Sequence, residues 1–217
     1  MLKNYQQLIS QRQNEHVASW LMIQLRAGQM QSRLWSDLIF MLAPSSIYIF
    51  FKSGITLKFK DEIADLFELT VLDLKPATPK YLQKDLNGKL LYTSDPDHCC
   101  SINKTRPLET VLTAYDVWMS GIRADQNATR SAMKLEQIAP HNTIRFHPML
   151  DWDGIKIYNY LKQYNIPRHP LEGRGYVSIG CEPCTRKFDL EMQVREARWF
   201  GLNKVECGLH TDLIIIE

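Results

Sequence analysis

The sequence predicts an α/β fold: a doubly wound, mostly parallel sheet, followed by a loop-rich region with cysteines and a C-terminal tail. Short apolar runs alternate with helical patterns up to about residue 165, which is typical of parallel strands covered by helices on both faces. After Pro167 the alternation gives way to frequent glycine and proline, which favours loops. Folds of this kind bind ligands beyond the carboxyl ends of their strands.

Each element is read from an apolar run or from a helical period. The predicted strands span residues 20–25, 47–51, 69–74, 116–120 and 143–146. The predicted helices span residues 31–42, 57–67, 102–114, 153–164 and 190–200. In residues 153–164, Ile155, Tyr158 and Leu161 recur at helical spacing, and Pro167 ends the pattern.

Length and composition bound the domain organisation. The 217 residues suit one domain, which we divide into an α/β core at about residues 15–165 and a cysteine loop and tail at residues 166–217. The chain is 45% hydrophobic and 23% charged, close to the globular average. A formal net charge of +2 says little about partners, and no nucleic-acid partner is expected. The oligomeric state stays open, and a homo-oligomer is one option.

The N-terminal half gives no sign of export or membrane insertion. Residues 1–7 are too polar for a signal peptide. The most apolar stretch, residues 34–51, contains Asp37, Pro44 and two serines, so it predicts a helix, a turn and a strand rather than a membrane span. We therefore expect a cytoplasmic protein without a membrane partner, in a compartment where thiols stay reduced.

Five cysteines carry most of the functional information. Cys99 with Cys100 and Cys181 with Cys184 form two pairs, and four soft thiolates suit an iron–sulfur or a structural zinc site. Adjacent ligands depart from the usual zinc spacing. Cys207 stands alone, which is typical of a nucleophile held away from a metal site, and its glycine neighbour argues against burial. An inert buried thiol is the alternative. An odd number of cysteines fits a disulfide scaffold poorly.

Positive charge gathers near the second cysteine pair and the tail. The residues concerned are Lys187, Arg195, Arg198 and Lys204. Such side chains bind phosphate or sulfate, and a solvated surface is the alternative interpretation. Trp199 is expected in the core rather than as a stacking platform for a ligand.

Several motifs occur together between about residues 90 and 210. They are Asp95-Pro96-Asp97-His98-Cys99-Cys100, Asn103-Lys104-Thr105-Arg106-Pro107-Leu108, Trp118-Met119-Ser120-Gly121-Ile122-Arg123-Ala124-Asp125-Gln126 with Thr129-Arg130, Gly175-Tyr176-Val177-Ser178-Ile179-Gly180-Cys181, Arg195-Glu196-Ala197-Arg198-Trp199 and Glu206-Cys207-Gly208-Leu209-His210. In this order they resemble the assimilatory adenylyl-sulfate reductases, the iron–sulfur branch that also includes some phosphoadenylyl-sulfate reductases.

The resemblance implies a fold, a cofactor and a reaction. The fold would be adenine nucleotide alpha hydrolase-like, and Cys99, Cys100, Cys181 and Cys184 would bind a [4Fe–4S] cluster. Cys207 would attack the sulfur of adenylyl sulfate as a thiolate, displace AMP and become sulfonated. Thioredoxin or a similar dithiol would then release sulfite by exchange chemistry.

The resemblance also implies substrate contacts. Lys104 would lie between cluster and substrate, and His210 would orient the site or act as a base. Arginine forks suit phosphate and sulfate oxygens. The implied substrate-binding residues are Lys104, Arg123, Arg130, Arg195, Arg198 and His210, with Gly28, Ser53 and Gly54 on the nucleotide side.

The nucleotide side departs from the family pattern. The serine-rich phosphate loop corresponds to residues 26–32, which keep Gly28 but lack the two serines. In the second signature Lys52 replaces an aspartate. Extra charge at Lys52 and Arg26 leaves phosphoadenylyl sulfate open as the substrate. The altered loop leaves a third reading open, a cluster-bearing binding or regulatory protein without catalysis.

Overall fold

The computed structural model of the protein describes residues 24–25, 54–67, 69, 71–192 and 195–213. Several expectations therefore lie outside the described residues. These are the strand at 47–51, the helix at 31–42, most of the strand at 20–25, and the candidate residues Arg26, Gly28, Lys52 and Ser53.

A four-stranded sheet lies at the centre of the described residues. Its strands are β1 (Gln24–Leu25), β2 (Val117–Met119), β3 (Glu136–Ile138) and β4 (Ile144–Phe146), in the order β1-β2-β4-β3. The central pair, β2 and β4, is parallel, and the two outer pairs are antiparallel. The α/β class is confirmed, as are the strands predicted within residues 116–120 and 143–146. β3 was not predicted, because two of its three residues are polar.

Helix α1 (Gly54–Leu66) packs one face into the core. Its buried residues Thr56, Phe59 and Ile63 recur at a spacing of three to four, as expected for a helix that lies on a sheet. The helix predicted at 57–67 is confirmed and begins three residues earlier, at Gly54.

The first cysteine pair lies on a continuous helical segment. α2 (Leu91–Ser94) precedes α3 (Pro96–Cys100), which runs through a π-helical turn (Ser101–Thr105) into α4 (Arg106–Leu112). Asp95 starts α3: its side chain accepts the His98 backbone N–H at 2.9 Å, and Pro96 follows at a position that needs no N–H donor. The helix predicted at 102–114 is therefore confirmed but begins at Pro96.

Two further helices follow β2 and β4. α5 (Ala128–Ser131) is a single turn, and α6 (Gly154–Gln163) is capped by Asp153, whose carboxylate accepts the Lys156 N–H at 2.7 Å. The helix predicted at 153–164 is confirmed. Of its periodic apolar residues only Leu161 is buried, whereas Ile155 is 74% exposed.

Two predicted elements are wrong. Residues 71–74 form no strand, since Leu72 is exposed and Asp73 turns to the surface to bind Lys60 of α1 at 2.9 Å. The described part of 190–200 forms turns rather than a helix. Leu190 is 94% exposed, so it marks no buried face, and Trp199 has a φ of 53°, which a right-handed helix does not contain.

All five cysteines pack into the same core as Leu108 and Leu112 of α4, Trp118 of β2, and Leu209 and Leu213 of the tail. The tail reaches this core through a 3₁₀ turn at Gly208–His210, which packs against the π-helical turn. No helix in the described ranges has the length and apolar character needed to cross a bilayer.

Candidate active site at the cysteine cluster

Cys207 lies in the cysteine cluster itself. It is only 7% exposed, so the expectation of an unburied thiol held apart from the paired cysteines is wrong. The neighbouring glycine permits close packing rather than exposure: a Cβ at Gly208 would lie 3.2 Å from Thr105 Oγ1 and 2.6 Å from Asp212. Lys204 also ties the tail to α3 through an ion pair with Asp97.

Lys104 contacts the sulfur of Cys207. Its Nζ donates to Cys207 Sγ at 3.3 Å, and the lysine is only 4% exposed. Burial alone would lower the pKa of Lys104, but the charges of Cys181, Cys207 and Cys100 outweigh it and raise this pKa well above its usual value. Lys104 is therefore an ammonium enclosed by thiols.

The same neighbours make Cys207 acidic. A hydrogen bond from Cys100 is the main cause that holds the pKa of the Cys207 thiol well below its usual value. Burial opposes this effect, while the charges of Lys104 and Arg198 support it. Cys207 therefore favours the thiolate, which is the form of a cysteine that attacks an electrophile.

The four paired thiols border a common buried region. Burial, followed by the charges of Cys184 and Cys181, raises the pKa of Cys99 to about 11. Burial and then Cys181 raise the pKa of Cys184 in the same way. A hydrogen bond to Cys207, followed by burial, raises the pKa of Cys100. These thiols are close enough to repel one another as anions, and none of the five forms a disulfide.

The four paired cysteines offer an all-sulfur donor set, the type that iron–sulfur clusters and structural zinc sites use. No group of three Cys, His, Asp or Glu side chains among the described residues forms a site for a single metal ion.

Asn103 supports the first cysteine pair. Its Nδ2 donates to the Cys99 carbonyl at 2.8 Å and contacts Cys99 Sγ at 3.7 Å. Gln83 holds this amide through two reciprocal hydrogen bonds of 2.6 and 2.9 Å. Asn103 is fully buried, so these contacts hold the backbone and the sulfur of Cys99 in place. Sequence reasoning gave neither residue a role.

Arg198 is enclosed by the loop that leads to Cys181. Its Nη1 donates to the Ile179 carbonyl at 3.1 Å, and a Cβ at Gly180 would lie 1.9 Å from its Cζ. The guanidinium also lies over the Trp199 ring, 4.5 Å from its centre. Trp199 is therefore a core residue, as predicted, and the face of its ring contacts the guanidinium of Arg198.

Sequence reasoning missed the role of Glu206. This buried carboxylate accepts Arg130 Nε at 2.6 Å and Arg195 Nη2 at 3.1 Å. Burial would raise the pKa of Glu206, but the hydrogen bond and charge of Arg130, followed by the charge of Arg195, lower it to about 2. The structure thus joins two of the predicted arginines to the residue that precedes Cys207. The partners that bury this carboxylate lie far from it in the sequence, so a local sequence pattern does not reveal its role.

His210 lies beside Arg145, which sequence reasoning also missed. Burial, and then the charges of Arg130 and Arg145, hold the pKa of His210 well below its usual value, so its ring is neutral. Nδ1 of His210 contacts Arg145 Nη2, and Arg145 Nη1 donates to the Leu209 carbonyl at 3.0 Å. A signal for Arg145 existed in the sequence, since it interrupts the apolar strand Ile144–Phe146.

Two predicted residues occupy other positions. Arg123 binds Asp125 of its own 3₁₀ turn at 2.9 Å, and the contacts described for it do not include Cys207. Gly54 begins α1 and is exposed. Their roles, like those of Gly28 and Ser53 outside the described residues, stay predictions.

The site combines a buried thiolate paired with a lysine and four thiols suited to an iron–sulfur centre, on an α/β fold. This combination is that of a thiol-dependent oxidoreductase. The sequence model of the phosphoadenosine phosphosulfate reductase domain matches residues 46–187. The chain belongs to this family. The matched region contains the four paired cysteines and Lys104, and Cys207 lies beyond its end.

Curated relatives extend the likeness over most of the chain. The adenosine 5'-phosphosulfate reductase of Lysinibacillus sphaericus is 32% identical over 180 residues, which cover 80% of this chain and 77% of the relative. That of Mycobacteroides abscessus is 31% identical over 189 residues, which cover 85% and 80%. That of Bacillus cytotoxicus is 35% identical over 144 residues, so the match spans 66% of this chain and 62% of the relative.

A solved structure supports the fold. The phosphate complex of phosphoadenylyl-sulfate reductase from Candida auris matches 81% of this chain and 75% of its own, with a TM-score of 0.51 and 15% sequence identity.

Proposed function

We propose that the protein reduces adenylyl sulfate to sulfite and AMP, with Cys207 as the nucleophile and a dithiol as the electron donor. One observation carries this proposal: the buried Lys104–Cys207 pair, 3.3 Å apart, adjoins the four paired thiols. The names of the relatives support adenylyl sulfate as the substrate.

In the first step the Cys207 thiolate attacks the sulfur of the sulfate group. A sulfur–sulfur bond forms, the bond between that sulfur and the phosphate oxygen breaks, and AMP leaves with the bonding electrons. Lys104 offsets the negative charge on the approaching groups. The charges of Lys104 and Arg198 favour the Cys207 thiolate even when Cys100 binds iron and has no proton to donate, so the attack needs no base. The neutral His210 therefore orients the tail rather than removing a proton.

In the second step a thiolate of thioredoxin or a similar dithiol attacks Cys207 Sγ. Sulfite leaves with the electron pair, and a mixed disulfide forms. The second thiol of the donor then displaces Cys207, so the donor is oxidised to a disulfide while the sulfate sulfur gains two electrons. Cys207 is only 7% exposed, so the tail around it must shift before a protein donor reaches the sulfur.

For the cofactor, we propose that Cys99, Cys100, Cys181 and Cys184 hold a [4Fe–4S] cluster. When bound, this cluster would supply compensating charge for four buried thiolates and fix the loop around residues 175–184. Structural zinc is the alternative. We further propose a single domain over the chain and a cytoplasmic location, and the oligomeric state stays open.

Unpartnered donors support an oxyanion site beside Cys207. Nε of Arg195 and Nε of Arg198 are buried and have no hydrogen-bond partner among the described residues. Phosphate or sulfate oxygens would satisfy them. We propose that Lys104, Arg195 and Arg198 bind the phosphosulfate. Arg123, Arg130 and His210 complete the predicted set, with Gly28, Ser53 and Gly54 on the nucleotide side.

Sulfite release tests the proposal. Protein purified without oxygen should contain iron and acid-labile sulfide, and it should release sulfite from adenylyl sulfate in the presence of a dithiol. Cys207→Ser should abolish release and leave the iron content unchanged, because the four paired thiols are intact. Release from phosphoadenylyl sulfate alone would identify the second candidate substrate. Zinc in place of iron would contradict the cofactor, and no release from either nucleotide would favour the non-catalytic reading.

A further inference from the structure

We propose that Glu206 is the positioning residue of this site: its carboxylate fixes the backbone at Cys207 and keeps Arg130 and Arg195 from binding the anion at full charge. The inference rests on the proposed function and adds a role for a residue that touches no reacting atom. Glu206 precedes the nucleophile, and it is the only carboxylate for which the described contacts include both a site arginine and Cys207.

The carboxylate is saturated with hydrogen bonds. Oε2 accepts Asn127 Nδ2 at 2.8 Å and Arg130 Nε at 2.6 Å. Oε1 accepts Arg130 Nη2 at 3.0 Å, Arg195 Nη2 at 3.1 Å and the backbone N–H of Cys207 at 2.8 Å. A carboxylate offers roughly four acceptor sites, so these donors leave its orientation no freedom. Its side chain is 1% exposed, and water cannot replace them.

The bond to the Cys207 N–H sets the direction of the nucleophile. It fixes the peptide from which the Cys207 side chain extends toward Lys104 Nζ. Arg145 holds the tail again two residues later, at the Leu209 carbonyl. Hydrogen bonds thus fix the backbone at Cys207 and two residues after it. This orients the Cys207 side chain, as a nucleophile requires for in-line attack.

The ion pairs limit the positive charge available to a ligand. Arg130 donates hydrogen bonds from Nε and Nη2 to Glu206, and Arg195 donates one from Nη2. The buried Nε of Arg195 has no hydrogen-bond partner among the described residues. The two arginines and Glu206 together carry a net charge of about +1 instead of +2. Removing the carboxylate charge should therefore strengthen anion binding while it loosens Cys207. These opposite effects separate a positioning role from a merely structural one.

Glu206→Gln tests the inference with two measurements on cluster-replete protein. The rate of S-sulfonation of Cys207, followed by intact mass in a single turnover, should fall by roughly ten- to a hundredfold, because charge-assisted hydrogen bonds are lost. The dissociation constant for inorganic sulfate, measured by calorimetry at fixed ionic strength, should fall by about three- to tenfold, because a neighbouring negative charge is gone. The exposed Glu191 offers a control, and Glu191→Gln should change neither value.

Unchanged sulfonation in Glu206→Gln overturns the inference, and so does unchanged or weaker sulfate binding at full iron content, which would mean a structural role. If Glu206→Gln fails to fold, Glu206→Asp decides: its charge remains but its reach is shorter, so sulfonation should slow while sulfate affinity stays near that of the wild type. Wild-type sulfonation in Glu206→Asp overturns the inference. If the wild type itself forms no adduct, the proposed function fails, and sulfate binding alone tests Glu206.

Discussion

At the scale of single residues, charge decides the state of the site. Cys207 is buried, and burial alone would keep its thiol protonated. The hydrogen bond from Cys100, which requires a protonated Cys100, and the charges of Lys104 at 3.3 Å and Arg198 oppose that preference. When Cys100 binds iron as a thiolate, the two charges remain. An ion pair at about 4 Å contributes on the order of 4 kcal/mol at an effective dielectric constant near 20, whereas a pKa unit corresponds to about 1.4 kcal/mol. One ammonium can therefore offset a large part of the effect of burial on this thiol.

Lys104→Met should raise the pKa of the Cys207 thiol, because the methionine has a similar length and no charge. The rate of Cys207 alkylation by iodoacetamide in cluster-replete protein follows the thiolate fraction. The rise of this rate with pH should therefore shift to higher pH, and at a pH on the wild-type rise the variant should react more slowly. Lys162→Met, at an exposed position of α6, is the control and should keep the wild-type profile. An unshifted profile in Lys104→Met would show that another group stabilises the thiolate.

At the scale of elements, three backbone segments meet at the site. The π-helical turn bears Lys104, the loop before Cys181 encloses Arg198, and the turn at Gly208–His210 follows Cys207. In the π-helical turn the Arg106 N–H bonds to the Ser101 carbonyl, five residues back, which widens the helix beside Lys104. Such widened turns are frequent at functional sites. The loop before Cys181 requires glycine at position 180, because the Arg198 side chain fills the space that a Cβ would need.

Gly180→Ala should displace Arg198, because the new Cβ would lie 1.9 Å from its Cζ. The far end of an arginine can move, so the protein should fold, but the guanidinium would leave its place over Trp199. Inorganic sulfate should then bind about tenfold more weakly, the loss expected for one charge-assisted hydrogen bond.

Gly173→Ala is a matched control in the same loop region. A Cβ at Gly173 has no atom within 4 Å in the described structure, so this variant should bind sulfate like the wild type. Equal sulfate affinity of Gly180→Ala and the wild type, measured by calorimetry, would remove Arg198 from the anion site.

At the scale of the whole molecule, sequence patterns predicted what is local. The central parallel strands, α1, α4 and α6 follow from periodicity, and the two cysteine pairs follow from spacing. The misses depend on contacts between distant residues. Glu206 meets Arg130 across 76 positions, and Lys104 meets Cys207 across 103. A local pattern along the chain does not reveal such pairs. The glycine beside Cys207 also led to the wrong prediction that this thiol is exposed.

Burial of a neutral histidine makes the stability of the protein depend on pH. His147 is fully buried, its Nδ1 contacts the Lys134 carbonyl at 2.7 Å, and its Nε2 has no partner among the described residues. Burial, followed by the charge of Arg145, lowers the pKa of His147 to about 4. The unfolded chain has an ordinary histidine pKa of about 6.5 and binds the proton first. His147 therefore contributes stability above pH of about 6.5, and this contribution is lost as the pH falls toward about 4.

The free energy of unfolding of the wild type should fall between pH 7 and pH 5, and His147 should account for about 2 kcal/mol of that fall. His147→Gln cannot take up the proton, so its own fall should be smaller by that amount, even though the variant is less stable at both pH values. Urea unfolding of iron-containing protein at the two pH values measures the difference. His141→Gln, at an exposed histidine, should keep the wild-type difference. If His147→Gln loses as much stability as the wild type, His147 is not a neutral group in the folded protein, and the acid sensitivity arises elsewhere.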